Sequence, residues 1–173
     1  LAKRIGLPIK QLVVATNSND ILHRFINGNE YSTTDLNHTL SPSMDILVSS
    51  NFERYLFDLF DRDAEMLRAF MSKLGQESQQ VSDDKWQQMR ECFSSARVDD
   101  ALTCETIAKV FSDTGKLVDP HTAVGIRAAR ECNADPSTPM ITLSTAHPAK
   151  FSDAINKAGL NTPELPAHLT GLF

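Results

Sequence analysis

The sequence predicts an α/β fold, a mostly parallel sheet flanked by helices. Short apolar runs at Gln11–Ala15, Met44–Val48 and Pro139–Leu143 read as buried strands. Between them, apolar residues recur at the three- and four-residue spacing of helices packed on a core. Strands that alternate with helices, rather than with hairpin turns, pair in parallel.

The elements follow in order. "LAKRIGLPIK" begins without Met and reads as the last turn of a helix, stopped at Gly6, so we expect a piece of a longer polypeptide. After the first strand, Asn17 or Asn19 suits the cap of a helix carrying Ile21, Leu22 and Phe25, which Asn27-Gly28 stops. Residues 29–43 are polar and read as loop. Past the second strand, Ser50-Asn51-Phe52-Glu53 fits a capping box. Phe52, Tyr55, Leu56, Leu59 and Phe60 then form one apolar stripe. Asp63 starts a further helix, with Met66, Leu67, Phe70, Met71 and Leu74 inward and Gly75 at its end. Residues 76–98 read as a helical subdomain or junction, in which Ser82 caps a helix bearing Trp86, Met89 and Phe93, and 95–98 form a short extended piece. An amphipathic helix spans 101–112. Asp119-Pro120 begins the next, aspartate at the N-cap and proline at the first helical position. After the third strand, residues 149–158 form a helix closed by Gly159, and Pro163 and Pro166 predict an irregular tail.

Composition narrows the function. With 173 residues, 41% of them hydrophobic and 23% charged, the chain can bury one ordinary core across 1–173. A net charge of -5 and a pI near 5.5 argue against nucleic acid as a partner, since phosphate binding needs a basic surface. No apolar run approaches the roughly 18 residues that cross a bilayer, and no secretory signal is visible, so no membrane association is expected. Cys92, Cys104 and Cys132 are odd in number and far apart, as reduced cysteines of a cytoplasmic protein are.

Ligands of open parallel sheets bind beyond the carboxyl ends of the strands. Three turns there are dense in small polar residues: Ala15 to Asp20, Ser49-Ser50-Asn51, and Ser144-Thr145-Ala146-His147. Helix N-termini at such turns suit anions, although a cap residue is expected at any of them. Ser144 and His147 lie three apart, and Asp119 precedes His121 by two. No G-x-S-x-G elbow exposes Ser144, which argues against a serine hydrolase. Histidine spacing fits no zinc motif, and no glycine fingerprint for nucleotide phosphates occurs. The acidic residues Asp58, Asp61, Asp63 and Glu65 read as a solvated helix end.

Three stretches taken together are more specific. "VVATNSNDIL", "HTLSPSMDILVSSNFER" and "DPHTAVG…LSTAHPAKF" resemble, in order and spacing, the C-terminal part of the threonine synthase family, in its long bacterial and fungal branch. The resemblance covers nearly the whole chain. It implies the large domain of a fold-type II pyridoxal-phosphate enzyme, with a helical decoration. The implied activity is that of a carbon–oxygen lyase acting on phosphates in threonine biosynthesis, converting O-phospho-L-homoserine and water to L-threonine and phosphate.

The family's Schiff-base lysine, in an S-F-K-D-like motif, and its G-N-F-G-N-like phosphate loop would both lie upstream of this chain. The chain is therefore expected to be inactive alone and to work with the N-terminal part of the same polypeptide. By resemblance, Thr145 supplies the hydroxyl facing the pyridine nitrogen of pyridoxal 5'-phosphate; the alternative is an N-cap before Pro148. Ser41, Ser43 and Asp45 of the "SPSMDI" turn, with Asn17, Asn19, Asp20 and Ser144, are the expected pocket-lining residues, and His121 and His147 are expected to be structural. Two other readings stand beside this one: a non-catalytic α/β module binding a small anion or a partner protein, and a threonine-synthase-like phospho-lyase with another substrate. Loss of neighbouring strands would leave an exposed sheet edge, which predicts self-association of the isolated piece.

Overall fold

A computed structural model of the chain describes residues 2–167. Two strands, β1 (Leu12–Thr16) and β2 (Phe93–Arg97), pair in parallel from Leu12 against Phe93 to Thr16 against Arg97. The connection between them carries α1 (Ile21–Gly28), α2 (Glu53–Leu59), α3 (Ala64–Ser72) and α4 (Asp83–Cys92). After β2 come α5 (Asp100–Thr114), α6 (Pro120–Cys132) and α7 (Ser152–Lys157).

The sheet separates two cores, because side chains alternate along each strand. Val14 and Phe93 join an aromatic cluster in which Phe25, Tyr31, Phe52, Phe60 and Phe70 are all buried. The Phe25 and Tyr31 ring centroids lie 4.9 Å apart, and Tyr31 stacks on Phe70 at 5.8 Å. Val13, Ala15 and Ala96 face the other way, onto Val124 and Ala128 of α6. The indole N–H of Trp86 donates to the Ile26 carbonyl at 3.0 Å and ties α4 to α1.

Several expected starts and stops are present. Asp63 accepts from the N–H groups of Glu65 and Met66, and Asp119 from those of His121 and Thr122, with Pro120 in the first helical turn. Near the start, an isolated turn ends at Gly6, whose φ of +98° is the left-handed conformation glycine adopts freely. Residues 95–97 are extended as expected, within β2.

Other expectations are corrected. Met44–Val48 is not a strand. A 3-10 turn spans Pro42–Met44, and the chain then bends around the Asp45 carboxylate, leaving Ile46 and Val48 on the surface. Pro139–Leu143 forms no ladder either. None of residues 139–144 makes a backbone hydrogen bond among the described residues, and Ile141 and Leu143 are 82% and 76% exposed. The segment rests on α6 at Gly125, where an added Cβ would lie 3.1 Å from Thr142 Cγ2. Thus β1 and β2 have no third strand beside them among the described residues.

The capping box is absent. A 3-10 turn over Ser50–Phe52 precedes α2, and Ser49 donates instead to the Asn51 side chain at 3.0 Å. Neither Asn17 nor Asn19 caps α1; Asp20 holds that position, without a side-chain cap bond. The helix expected over 149–158 is a 3-10 turn, Pro148–Lys150, followed by α7.

Candidate functional site

The polar residues singled out in the sequence meet beyond the carboxyl end of β1. Asn17, 1% exposed, directs its amide N–H groups to Thr39 Oγ1 at 2.9 Å, Ser41 Oγ at 3.0 Å and Asp45 Oδ1 at 2.8 Å. Its Oδ1 accepts the Asn19 backbone N–H at 2.9 Å, an Asx turn that leads the chain toward α1. Asn19 reaches Asp45 Oδ1 at 3.1 Å and the Asn37 carbonyl at 2.9 Å, and accepts the Asn37 N–H at 2.8 Å. Asp45 also accepts from the Thr39 hydroxyl at 2.7 Å and from the Thr39 N–H at 2.9 Å. Asp45 thus takes the donors that a charged oxygen needs once it leaves bulk water. Together these residues staple the 37–45 loop to the end of β1.

A second group sits at the N-terminus of α6. Asp119 is 1% exposed. Its Oδ1 accepts from the His121 N–H at 3.0 Å and from His121 Nδ1 at 2.8 Å, and its Oδ2 accepts the Thr122 hydroxyl. His121 Nε2 accepts the Ser43 N–H at 3.1 Å. Only a ring with its hydrogen on Nδ1 satisfies both contacts. The constellation looks like a Ser-His-Asp triad, but its serine contributes a backbone N–H, so no nucleophile is activated. On the other side, Thr122 Oγ1 accepts the Thr145 N–H at 3.1 Å and lies 3.4 Å from Thr145 Oγ1. His147 caps the next turn, its Nδ1 accepting the Ala149 N–H at 3.2 Å.

Between the sheet and the 43–55 segment lies a cleft of about 420 Å³. Asn19 and Ser43 reach its wall alongside Val14, Met44, Phe52 and Tyr55. Burial, reinforced by the nearby Cys92, pushes the Tyr55 phenol well above its ordinary range, so it stays neutral. Asn17, Ser41 and Asp45 do not line the cleft, and they hold the 37–45 loop from which Ser43 reaches it. Thr145 is connected through Asp119 rather than through the cleft, and its side chain is exposed.

Two residues expected at the pocket stand apart. Asp20 pairs with Arg24 at 2.9 Å and Arg97 at 3.3 Å, and Ser144 is exposed without a hydrogen bond among the described residues. Sequence reasoning missed Thr39 and the anchoring part of Asp119. The first carries no local signal. The second was within reach, because aspartate before Pro-x-Thr places a hydroxyl beside the cap carboxylate.

The C-terminal threonine synthase family model matches residues 122–173. A curated threonine synthase of Pseudomonas aeruginosa is 56% identical over 100% of this chain and 37% of its own length. A pyridoxal-phosphate-bound threonine synthase structure from Brucella melitensis superposes with a TM-score of 0.93 at 46% identity, over 99% of this chain and 37% of that one. The yeast threonine synthase structure gives 0.89 at 39% identity, over 99% of this chain and 38% of that one. The chain therefore spans little more than a third of the relatives it matches. The α/β expectation holds, and the likeness to these solved structures carries the fold-type II assignment with it. Matched along its length in sequence and in fold, the chain is similar to the C-terminal part of threonine synthases.

Proposed function

We propose that the chain forms one wall of a threonine synthase active site, in an enzyme that uses pyridoxal 5'-phosphate to convert O-phospho-L-homoserine and water to L-threonine and phosphate. The observation that carries this reading is the setting of Thr145. Its backbone is held by Thr122, yet its side chain stays exposed. Because the Thr122 hydroxyl hydrogen goes to Asp119, Thr145 can donate or accept toward a ligand.

That donor set fits the nitrogen edge of the cofactor. A neutral hydroxyl tolerates either protonation state of a ring nitrogen, and the only carboxylate in the group is buried and committed to its own donors. When bound, the cofactor supplies an electron sink for the bonds of the substrate amino acid that must break. The chain's residues orient and enclose. Thr145 would face the ring nitrogen, Ser43 and Asn19 border the separate cleft between the sheet and the 43–55 segment, and Asn17, Ser41 and Asp45 keep that border in shape. No lysine takes part in these hydrogen bonds, so the amine that holds the cofactor, with the phosphate loop, comes from the upstream part of the same polypeptide.

The 56% identity to the Pseudomonas aeruginosa synthase supports this substrate over that of a paralogue, and over a non-catalytic module. Free cysteines, and the lack of any helix among the described residues long and apolar enough to cross a membrane, support a cytoplasmic setting. The deciding experiment uses the full-length polypeptide carrying this chain. Phosphate release from O-phospho-L-homoserine should require pyridoxal 5'-phosphate and yield threonine. Release without threonine, or no cofactor dependence, would overturn the reading.

A further inference from the structure

We propose that Asp119 is a positioning residue, a single buried carboxylate that sets the Thr145 hydroxyl through Thr122 and the Ser43 turn through His121. This inference rests on the cofactor-facing role of Thr145 proposed above. Its physical basis is the division of labour between the two carboxylate oxygens. Oδ1 takes the His121 ring and the two cap N–H groups, and Oδ2 takes the Thr122 hydroxyl.

Each arm needs an acceptor at Asp119. On the His121 arm, an acceptor keeps the ring hydrogen on Nδ1 and leaves Nε2 free for the Ser43 N–H. On the Thr122 arm, an acceptor draws the hydroxyl hydrogen inward. That leaves Thr122 Oγ1 an acceptor for the Thr145 N–H and withholds its hydrogen from Thr145 Oγ1. Helix capping alone requires one acceptor, and aspartate and asparagine cap about equally well. Asparagine, however, has a single oxygen. With that oxygen on His121, its amide donates to Thr122 and turns the Thr122 hydrogen toward Thr145. With it on Thr122, the amide donates to His121, and the ring hydrogen moves to Nε2 against the Ser43 N–H. Either orientation breaks one arm, and only the first, with the oxygen on the His121 side, keeps the helix capped. Only the carboxylate satisfies both, which is why its role exceeds that of a cap.

The test uses the full-length holoenzyme, with two readouts: the absorbance band of the bound cofactor without substrate, and kcat. Thr122→Val, which keeps shape but removes the hydroxyl, should shift the band and lower kcat about tenfold or more, the usual scale for a displaced reacting partner. Thr122→Ser should restore both. In a Thr145→Val background the further effect of Thr122→Val should vanish, because Thr122 acts through Thr145.

A folded Thr122→Val enzyme with the parental band and kcat would overturn the proposal. So would an effect that adds undiminished to that of Thr145→Val. If Thr122→Val does not fold, Asp119→Asn carries the same test, its cap kept by an amide oxygen on the His121 side, and a parental band and kcat there would overturn the proposal equally. Thr145→Val measured alone distinguishes the two levels. Its failure to move the band removes the cofactor reading itself, whereas a shift with Thr145→Val but none with Asp119→Asn removes only the positioning role.

Discussion

The backbone N–H of Ser43 donates to His121 Nε2 at 3.1 Å, joining positions 78 residues apart. The bond fixes both partners. It holds the 3-10 turn that begins at Pro42 against α6, and it sets the ring tautomer that lets Nδ1 donate to Asp119. His121 also meets the Phe151 ring edge-on, with centroids 4.6 Å apart, so the imidazole is packed as well as hydrogen-bonded.

Replacing His121 by Phe should therefore keep the ring contact but leave two groups unpaired, the part-buried Ser43 N–H and one lone pair of the buried Asp119. The expected cost is about 1–3 kcal/mol, the range for a buried polar group left unpaired. His121→Gln, whose carbonyl can reach the Ser43 N–H, should lose less. Chemical unfolding of the two variants beside the parent gives the comparison, and equal losses would count against the Ser43 bond.

Asn17 carries the 37–45 loop. Its amide contacts three side chains of that loop, and its carbonyl holds Asn19. Asn17→Ala should cost about 2–3 kcal/mol, because Asp45 keeps its charge and loses a donor. Hydrogen exchange is the sharper readout. The amides of Asn37 and Thr39, which bond to Asn19 and Asp45, should lose protection before those of α5 or α6. Uniform loss across the chain would refute a local staple.

That staple also shows what local patterns miss. The Met44–Val48 run has the apolar content of a strand, but Asp45 within it collects donors from Asn17, Asn19 and Thr39, and those partners lie outside any local window. The run Pro139–Leu143 carries the strand formers Ile141 and Thr142 but forms no ladder among the described residues. What is absent is a neighbour to pair with, which no reading of those five residues could supply. By contrast, Leu12–Thr16, the caps at Asp63 and Asp119 and the Phe52–Phe60 stripe are written locally, in alternation and in cap chemistry, and all are present. The polar turns were legible as a group. The split between Asn17, which holds the loop, and Ser43, which borders the cleft, depends on which way each side chain turns in space.

Tyr31 supplies a pH prediction. Its ring is fully buried in the aromatic core and its hydroxyl has no hydrogen-bond partner among the described residues. Burial, with the nearby Glu53 charge second, raises its pKa to about 12 from 10.0. The folded state then holds the phenolic proton more tightly than the unfolded state. The resulting stability is fully present below pH 10.0 and is lost as pH rises through about 12. Tyr31→Phe should flatten that part of the alkaline decline in melting temperature. At neutral pH it should also raise stability by about 1 kcal/mol, since the unpaired hydroxyl is gone. A variant with the parental alkaline slope would show that Tyr31 is not the group responsible.

Ile141 and Leu143 lie exposed on a segment whose backbone donors and acceptors are unpaired among the described residues. Exposed apolar side chains on an open extended edge template pairing with another chain. In the reading proposed here, the upstream part of the polypeptide covers this edge. The 173-residue chain by itself should then satisfy the edge by pairing with a second copy. Sedimentation should show concentration-dependent association of that chain, and Ile141→Lys with Leu143→Lys should reverse it by placing like charges on the edge. The same pair in the full-length polypeptide should lower folded yield, because the lysines would be pressed under the covering segment. A chain that stays monomeric throughout, together with an unaffected full-length yield, would mean that this edge is not a buried surface of the complete fold.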